Sequence, residues 1–299
     1  MRYLVFALCF VAGTAQAQSL RFAGSERPIE VTAEQGIELQ QDFKRVIARG
    51  NARAVQGDVT VTSDELIADY RTTENGETEV YRVFATGNVV MKSTTETATG
   101  DIAVYDFDKA VLVLEGATVS LVNAEGSVTA HKTLQYWGNN GVAVAEGNAV
   151  AVDKEKRRLH GDKLIAFFRS EPAPAGAKGG ANVLPSNKGD IQLIQGFGNV
   201  RMETAKETVR GERGTYNIET GIATLDGGVK ITQNNNQLGG GFAVVNVKGG
   251  TSRLFPNAKA AGMAGVTENR RVAALLAPSP RQEVAAPPTA APLATKGTK

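Results

Sequence analysis

The stretch ATGNVVMKSTTETATGDIAVYDF (residues 85–107) decides the fold class, because it reads as one β-hairpin and returns later in the chain. Its opening Gly-Asn-Val recurs in GFGNVRMETAKETVRGERGTYNI (residues 196–218). Apolar residues such as Val89 and Met91 alternate with polar ones such as Lys92, and this period of two is typical of a strand with one buried face. The repetition therefore predicts a stack of hairpins.

Glycines that open comparable strands recur along the chain. They are Gly50, Gly87, Gly116, Gly147, Gly198 and Gly227. Each unit then closes with a strand that ends in an aromatic residue, as in residues 64–70 and 161–168. A lone hairpin is marginal in water, whereas stacked hairpins bury each other's apolar faces. We therefore expect an all-β fold of about six hairpin repeats, with roughly 14 strands.

Both ends of the chain and one internal segment differ from this pattern. Arg2, the apolar run of residues 3–11 and Ala-Gln-Ala at residues 15–17 predict a signal peptide, residues 1–17, that is cleaved after Ala17. Residues 170–189 are rich in Pro, Gly and Ala and predict a mobile insert. Residues 256–299 predict a Pro- and Ala-rich disordered tail, in which residues 264–276 have a short helix as an alternative.

Composition narrows the range of functions. The only cysteine, Cys9, lies in the predicted signal peptide, so the exported chain has no thiol for a disulfide or for metal binding. The net charge of +2 does not favour nucleic acid as a partner. Neither G-x-S-x-G nor H-E-x-x-H occurs. We therefore expect a binding protein without catalytic residues, cofactor or metal.

Recurring acids leave one alternative open. Asp64, Asp101, Asp162 and Glu212 fall at similar places in successive units. Stacked acids on the coils of a parallel β-helix can hold calcium, which would suit a secreted protein that acts on or binds acidic polysaccharide. Acids beside glycines are also common in ordinary turns.

Three segments carry a resemblance to a known family. PIEVTAEQGIELQ (residues 28–40), TSDELIADY (residues 62–70) and HGDKLIAFF (residues 160–168) resemble the LptA/OstA-like family of periplasmic lipopolysaccharide-transport proteins, over residues 27–255. The resemblance implies an open, twisted β-jelly roll whose two facing sheets form a V around the acyl chains of lipopolysaccharide. It also implies end-to-end homo-oligomers between an LptC-like inner-membrane partner and an LptD-like outer-membrane partner.

In such a fold, the inward positions after each repeat glycine and along the aromatic-ended strands would line the lipid site. These predicted lipid-binding residues are Leu66, Tyr70, Val89, Met91, Tyr105, Leu134, Tyr136, Leu164, Phe168, Val200, Met202, Tyr216, Val229 and Ile231. The orientation is ambiguous in the units at Gly116 and Gly147, where Val119, Leu121, Val150 and Val152 fall on the other alternation. A filled sandwich core and a cleft kept open for lipid have the same alternating pattern.

Unpaired strands at the two ends of such a stack are candidates for pairing with a neighbouring subunit. We expect the N-terminal edge to lie at residues 29–32, with Ile29 and Val31, and the other edge at residues 242–247, with Val245. Pairing of one edge with the other would join copies head to tail.

Overall fold

The computed structural model describes residues 21–22, 29–169, 191–263 and 270–276. Within these ranges the fold is all-β, and its nineteen strands form one continuous sheet. Every pairing is antiparallel except that of the short first strand with the sixth. The described part of the chain contains no helix long and apolar enough to cross a membrane. The predicted signal peptide, the insert at residues 170–189 and the tail after residue 276 lie outside the described residues.

The strands follow the hairpin order that the sequence predicts. They are β1 Arg21–Phe22, β2 Glu30–Thr32, β3 Gly36–Gln40, β4 Arg45–Gln56, β5 Val59–Thr72, β6 Thr78–Lys92, β7 Glu96–Asp106, β8 Val111–Glu115, β9 Val119–Asn123, β10 Gly126–Ala130, β11 Thr133–Trp137, β12 Val142–Asp153, β13 Arg158–Phe168, β14 Ile191–Glu203, β15 Thr208–Asn217, β16 Ile222–Gln233, β17 Asn236–Asn246, β18 Thr251–Phe255 and β19 Ala273–Leu275. The stretch quoted first forms the hairpin of β6 and β7, and its second copy forms the hairpin of β14 and β15.

The number of strands exceeds the roughly 14 expected, because some strands are interrupted. Each of the pairs β2/β3, β8/β9, β10/β11 and β18/β19 runs along a single neighbouring strand, so each pair occupies one rung of the stack. Ten longer strands each fill a rung alone, which gives fourteen rungs besides β1. The all-β stack of hairpins is confirmed.

The repeated Gly-Asn pair bends a strand in its middle, which corrects the expectation that the glycine opens a strand. Gly87 and Asn88 have φ values of 78° and 49°, and the register of β6 on β7 shifts between Thr86 and Val89. Glycine suits this backbone because a Cβ in the left-handed region is strained. A Cβ at Gly87 would also overlap the carboxylate of Asp64, which accepts a hydrogen bond of 3.0 Å from Asn88 Nδ2.

The bends divide the sheet into two halves. Half-sheet 1 contains residues 30–32, 52–63, 89–100, 119–130, 149–161, 200–211, 229–240 and 273–275. Half-sheet 2 contains residues 36–49, 65–86, 102–115, 133–146, 163–168, 191–197, 213–226 and 242–255. Buried side chains of both halves, such as Met91 and Tyr105, belong to one hydrophobic cluster, so the two halves pack face to face.

The end of the β-domain differs from the expected start of a disordered tail. After β18 ends at Phe255, Lys259–Ala261 forms a 3-10 turn, and β19 then pairs with the first half of β17. Within the predicted tail, the described residues thus contain these two elements of three residues each, and β19 lies where the sequence left a short helix as an alternative. β18 pairs only with the second half of β17, so on this side the backbone of Gln237 to Gly239 is open to another extended segment. β19 is the segment that pairs there.

Candidate functional site

The fourteen predicted lipid-binding residues all lie on the inner surfaces of the two half-sheets. Eleven are buried in the core, namely Leu66, Val89, Met91, Tyr105, Leu134, Tyr136, Leu164, Val200, Met202, Val229 and Ile231. Tyr70, Phe168 and Tyr216 are half-buried and pack against it. The inner surface of half-sheet 1 is an apolar ladder that crosses neighbouring strands, as in Val61, Met91 and Ala98.

The two ambiguous units are resolved by the length of their bends. In the unit at Gly116 three residues separate the two strands, so Val119 and Leu121 point inward. In the unit at Gly147 the bend is the usual Gly-Asn pair, and Ala149 and Ala151 occupy the inward positions instead. Val150 and Val152 lie on the outer face, opposite His160 and Arg158 of the next strand.

The interior is filled by side chains in this conformation. A cavity of about 10 Å³ lies among Val200, Met202, Tyr216 and Leu225. This volume leaves room for no more than about one water molecule. The inner surfaces therefore form a packed core, and a ligand between the half-sheets would have to displace the packing that they make with each other.

The core divides into two clusters along the chain. The N-terminal core contains residues from Ala48 to Leu164, and the C-terminal core contains residues from Val200 to Val245. Between them, the inward ladder of half-sheet 2 continues from Leu164 through Gly196 and Gly214. Neither glycine has a side chain that could contact half-sheet 1, so the N-terminal and C-terminal cores are separate at this point.

The N-terminal core holds a buried polar group that lacks a partner. The hydroxyl of Tyr136 is buried and has no hydrogen-bond partner among the described residues. Burial raises the pKa of Tyr136, and the nearby Glu96 raises it further. Burial, together with Tyr136 and Asp106, raises the pKa of Tyr105 to about 12. Both phenols therefore stay protonated at neutral pH, and the Tyr136 hydroxyl is a hydrogen-bond donor inside an apolar surface.

The recurring acids each serve a bend of the chain. The Asp162 carboxylate accepts a 3.0 Å hydrogen bond from Asn199, as Asp64 does from Asn88, and Asp101 accepts one of 2.9 Å from the backbone of Ala117. The Glu212 side chain lies against Gly227. The described residues contain no group of three or more His, Cys, Asp or Glu side chains placed to hold a metal ion. These acids hold the bends and do not form the stacked calcium site of the alternative.

The N-terminal edge of the stack is unpaired among the described strands. β2 and β3 pair only with β4, and Ile29 and Val31 pack against the N-terminal core. Ile37 and Leu39 of β3 stand at inner-face positions, yet 51% and 55% of their surface is exposed. The apolar inner surface thus continues to this end of the stack, where no described residue covers it. Sequence reasoning missed both residues, although their alternation in GIELQ is visible.

The other predicted edge is wrong. Val245 is 1% exposed, and its strand pairs with β16 on one side and with β18 on the other, where it faces Ser252. Sequence reasoning ended the sheet at residues 242–247 and missed β18, because TSRLF (residues 251–255) is short and only two of its residues are apolar. The outermost described strands at this end are β18 and β19.

Comparison with known proteins agrees with this architecture. The family described as LptA/(LptD N-terminal domain) LPS transport protein matches residues 30–136 and 128–251. The chain belongs to this family. The two matches together span the hairpin stack from β2 to the start of β18, so the resemblance noted in the sequence is confirmed, and with it a place among lipopolysaccharide transport proteins.

Individual relatives are more distant. An uncharacterized protein of Rhizobium meliloti is 25% identical over 118 residues, which are 37% of this chain and 63% of that protein. The chain thus matches less than two thirds of the length of this relative. The crystal structure of LptH, the LptA homologous periplasmic component of the lipopolysaccharide transport device from Pseudomonas aeruginosa, matches 86% of this chain and 99% of that chain. Its sequence identity is 14% and its TM-score is 0.21.

Proposed function

We propose that this chain is a periplasmic carrier that binds lipopolysaccharide between its half-sheets and helps to move it from the inner to the outer membrane. The observation that carries the proposal is the apolar inner surface, which crosses the rungs of the stack and stays exposed among the described residues at Ile37 and Leu39. The cargo follows from the family, and the periplasm from the predicted signal peptide and the similar LptH.

In this proposal acyl chains take the place of the side chains of the opposite half-sheet. The half-sheets separate about the bends, such as Gly87-Asn88, where strands pass from one half to the other. Each methylene group moved from water to the inner surface contributes roughly 0.8 kcal/mol, which offsets the weaker packing between the separated halves. Met91 and Met202 lie on this surface, and their flexible side chains suit a lining that must adapt to several positions of the lipid.

The Tyr136 hydroxyl supplies the polar contact in this proposal. An acyl chain is joined to its head group through an ester or amide carbonyl, which accepts a hydrogen bond. The Tyr136 hydroxyl has no partner among the described residues, so a carbonyl that reaches it takes the place of no hydrogen bond seen in the described structure. The acyl chain would then have a preferred depth of insertion between the half-sheets.

Photo-crosslinking at adjacent residues of opposite orientation tests the lipid site. Met91 faces inward and Lys92 outward on β6, and Met202 faces inward and Arg201 outward on β14. A photoreactive residue at Met91 or Met202 is expected to capture lipopolysaccharide in cells, whereas one at Lys92 or Arg201 is not. Equal capture from both faces, or capture from neither, would overturn the inner surface as the site.

We further propose that copies join end to end through their outermost strands. The exposed edge of β2 and β3 would pair with β18 of the next copy, which extends the sheet and aligns the inner surfaces. Because the two edges differ, the contact is heterologous and leaves one free edge at each end of a chain of copies. An LptC-like protein and an LptD-like protein are the partners proposed for those free edges.

Edge variants test this assembly by light scattering. Val31→Pro and Arg253→Pro each remove a backbone donor from a proposed edge, so both variants are expected to scatter less than the parent at equal concentration. Val245→Pro interrupts a strand that is paired on both sides and is expected to unfold the C-terminal rungs instead. If both edge variants stay folded by circular dichroism and assemble like the parent, pairing through these edges is the wrong mechanism.

A further inference from the structure

Half-sheet 2 is apolar on its outer face as well as on its inner face. In β8, Val111 and Val113 point outward while Leu112 and Leu114 point inward, and β12 repeats this pattern with Val142. Apolar residues on both faces are typical of a strand that is covered on both sides. Half-sheet 1 covers the inner face, and no other strand of the described chain is layered on the outer face.

The outward side chains form a patch on the seven neighbouring strands from β6 to β14. Gln135 of β11 interrupts one of its two rows, and that row continues beyond β6 as Ile67 and Ile47. We define the outer apolar patch as Phe84, Val104, Val111, Val113, Trp137, Val142, Val144, Ile165, Phe167 and Leu193. A groove of about 350 Å³ lies in it, lined by Trp137, Phe84 and Val113 among others and bordered by Arg82 and Asp106. Trp137 is 40% exposed.

The patch ends at β14 on its C-terminal side. The cross-strand row that contains Val144 and Ile165 continues on the next strands as Gln195, Thr215 and Thr224. This row of the outer face is therefore polar from β14 to β16. A large exposed apolar area marks a surface that contacts another molecule.

The charges around the patch are balanced. Arg82 and Lys109 pair with Asp106 at 2.9 and 3.6 Å, Arg71 pairs with Asp108 at 2.7 Å and with Glu79 at 3.0 Å, and Arg45 pairs with Asp69 at 2.6 Å. Beyond the opposite border, Lys163 pairs with Glu146 at 2.6 Å. A border with equal numbers of both signs has no excess of cations to attract an anionic membrane. It does allow an identical border to lie opposite, because each sign can meet its opposite.

The dimensions of the patch fit the centre of a dimer interface. Seven strands about 4.8 Å apart extend over about 30 Å, and two rows of side chains give an apolar strip of roughly 400 Å². A stable interface needs about 800 Å² on each partner and has an apolar centre within a polar rim. The strip and its ion-paired border together reach that size.

We propose that a second copy of this chain docks face to face on the outer apolar patch. The contact is isologous, with the same residues on both copies, and it closes at a dimer. It is separate from the end-to-end contact proposed above, which uses strand edges and does not close. Two rows of end-to-end copies could therefore pair side by side.

The chain's only tryptophan lies in this patch, so its fluorescence reports on the contact. We expect the mass from sedimentation velocity to rise from monomer to dimer with concentration, together with a blue shift of the Trp137 emission. The measurement uses the Val31→Pro background, in which end-to-end pairing is removed. Val144→Glu should weaken dimerisation at least about 10-fold, and Thr224→Glu, on the polar continuation of the row, should not change it.

Other outcomes would overturn the proposal. If the Val31→Pro protein stays monomeric throughout, no second copy docks. If Val144→Glu lowers the thermal midpoint strongly, Val113→Thr provides a milder test. Dimerisation that is unchanged in both variants would exclude the outer apolar patch as the interface. Phe168 and Ile191, which flank residues 170–189, pair beside the patch. If deletion of residues 170–189 shifts the Trp137 emission to the red at constant mass, that segment occupies the patch instead of a second copy. A blue shift of the monomer on anionic vesicles would assign the patch to a membrane.

Discussion

The N-terminal and C-terminal cores share one backbone plan and differ in what fills it. Both are made of bent hairpins, and Gly87-Asn88 and Gly198-Asn199 have nearly the same dihedral angles and the same hydrogen bond to an aspartate. The N-terminal core is filled by aromatic rings, with Tyr105 stacked edge to face on Phe107 at 4.5 Å. No aromatic side chain is fully buried in the C-terminal core cluster.

This difference indicates how the two regions respond to a ligand. The C-terminal core lies beside the paired glycines Gly196 and Gly214 and borders the 10 Å³ cavity, so we expect its half-sheets to be held together less tightly. The N-terminal core contains the Tyr136 hydroxyl, which has no hydrogen-bond partner among the described residues. Under the proposed function, the half-sheets separate more readily at the C-terminal core, while the N-terminal core fixes the depth of the lipid.

Methionines at equivalent positions of the repeat test the difference in packing. Met91 and Met202 both stand four residues after the repeat glycine and are 2% and 6% exposed. Met91→Ala is expected to lower the free energy of unfolding by about 3 kcal/mol, and Met202→Ala by about 2 kcal/mol, because the neighbours of Met202 already leave space. Urea denaturation measures both. A larger loss for Met202→Ala would mean that the C-terminal core is the better packed of the two.

Substitutions at the Gly-Asn bends test the backbone plan that the N-terminal and C-terminal cores share. Gly87→Ala and Gly198→Ala each place a Cβ against an aspartate and strain a positive φ, so each is expected to cost about 2 kcal/mol. Gly76→Ala is the matched control, because Gly76 has the same φ of 78° as Gly87 but open space around it, and it should cost about 1 kcal/mol. Thermal denaturation compares them. Unequal costs at Gly87 and Gly198 would show that the bends differ too.

Alternation in the sequence is enough to predict the hairpins and the inner surface. Val89, Met91, Val200 and Met202 follow a period of two from a repeated glycine, and a single inward face leaves only one consistent register. The aromatic ends of the strands, such as Phe168, were visible for the same reason. These features depend on neighbours within one hairpin.

Features that depend on distant segments were not accessible in this way. The role of Asp64 is set by Gly87, which lies on another strand, and the bend itself is invisible to a pattern that only alternates. The strand β19 forms because β17 has a free half, although its own sequence AAL has little strand preference. The apolar run from Val111 to Leu114 is visible in the sequence, but only the sheet order shows that no described strand covers its outer face.

Ionisation of Tyr105 gives a pH test of the N-terminal core. The pKa of Tyr105 is raised to about 12, mainly by burial. The folded state therefore holds its proton more tightly than the unfolded state, so stability is fully present below a pH of about 10 and is lost as the pH rises toward 12. The loss is up to roughly 2 kcal/mol. Thermal midpoints between pH 9 and 12 should fall less steeply for Tyr105→Phe than for the parent, and parallel slopes would contradict the burial of this phenol.

The smallest effect on stability is expected at Tyr136, where one substitution should change stability and lipid binding in opposite directions. Its buried hydroxyl lacks a partner among the described residues, so Tyr136→Phe removes an uncompensated polar group and should raise the free energy of unfolding by about 1 kcal/mol. The half-buried Tyr216 of the C-terminal core is the matched control, and Tyr216→Phe should change stability little. If the hydroxyl contacts an acyl carbonyl, Tyr136→Phe also lowers lipopolysaccharide capture from Met91 several-fold, even though the protein is more stable. A variant that gains stability and captures lipid like the parent would remove Tyr136 from the site, and one that loses stability would show that the hydroxyl already has a partner.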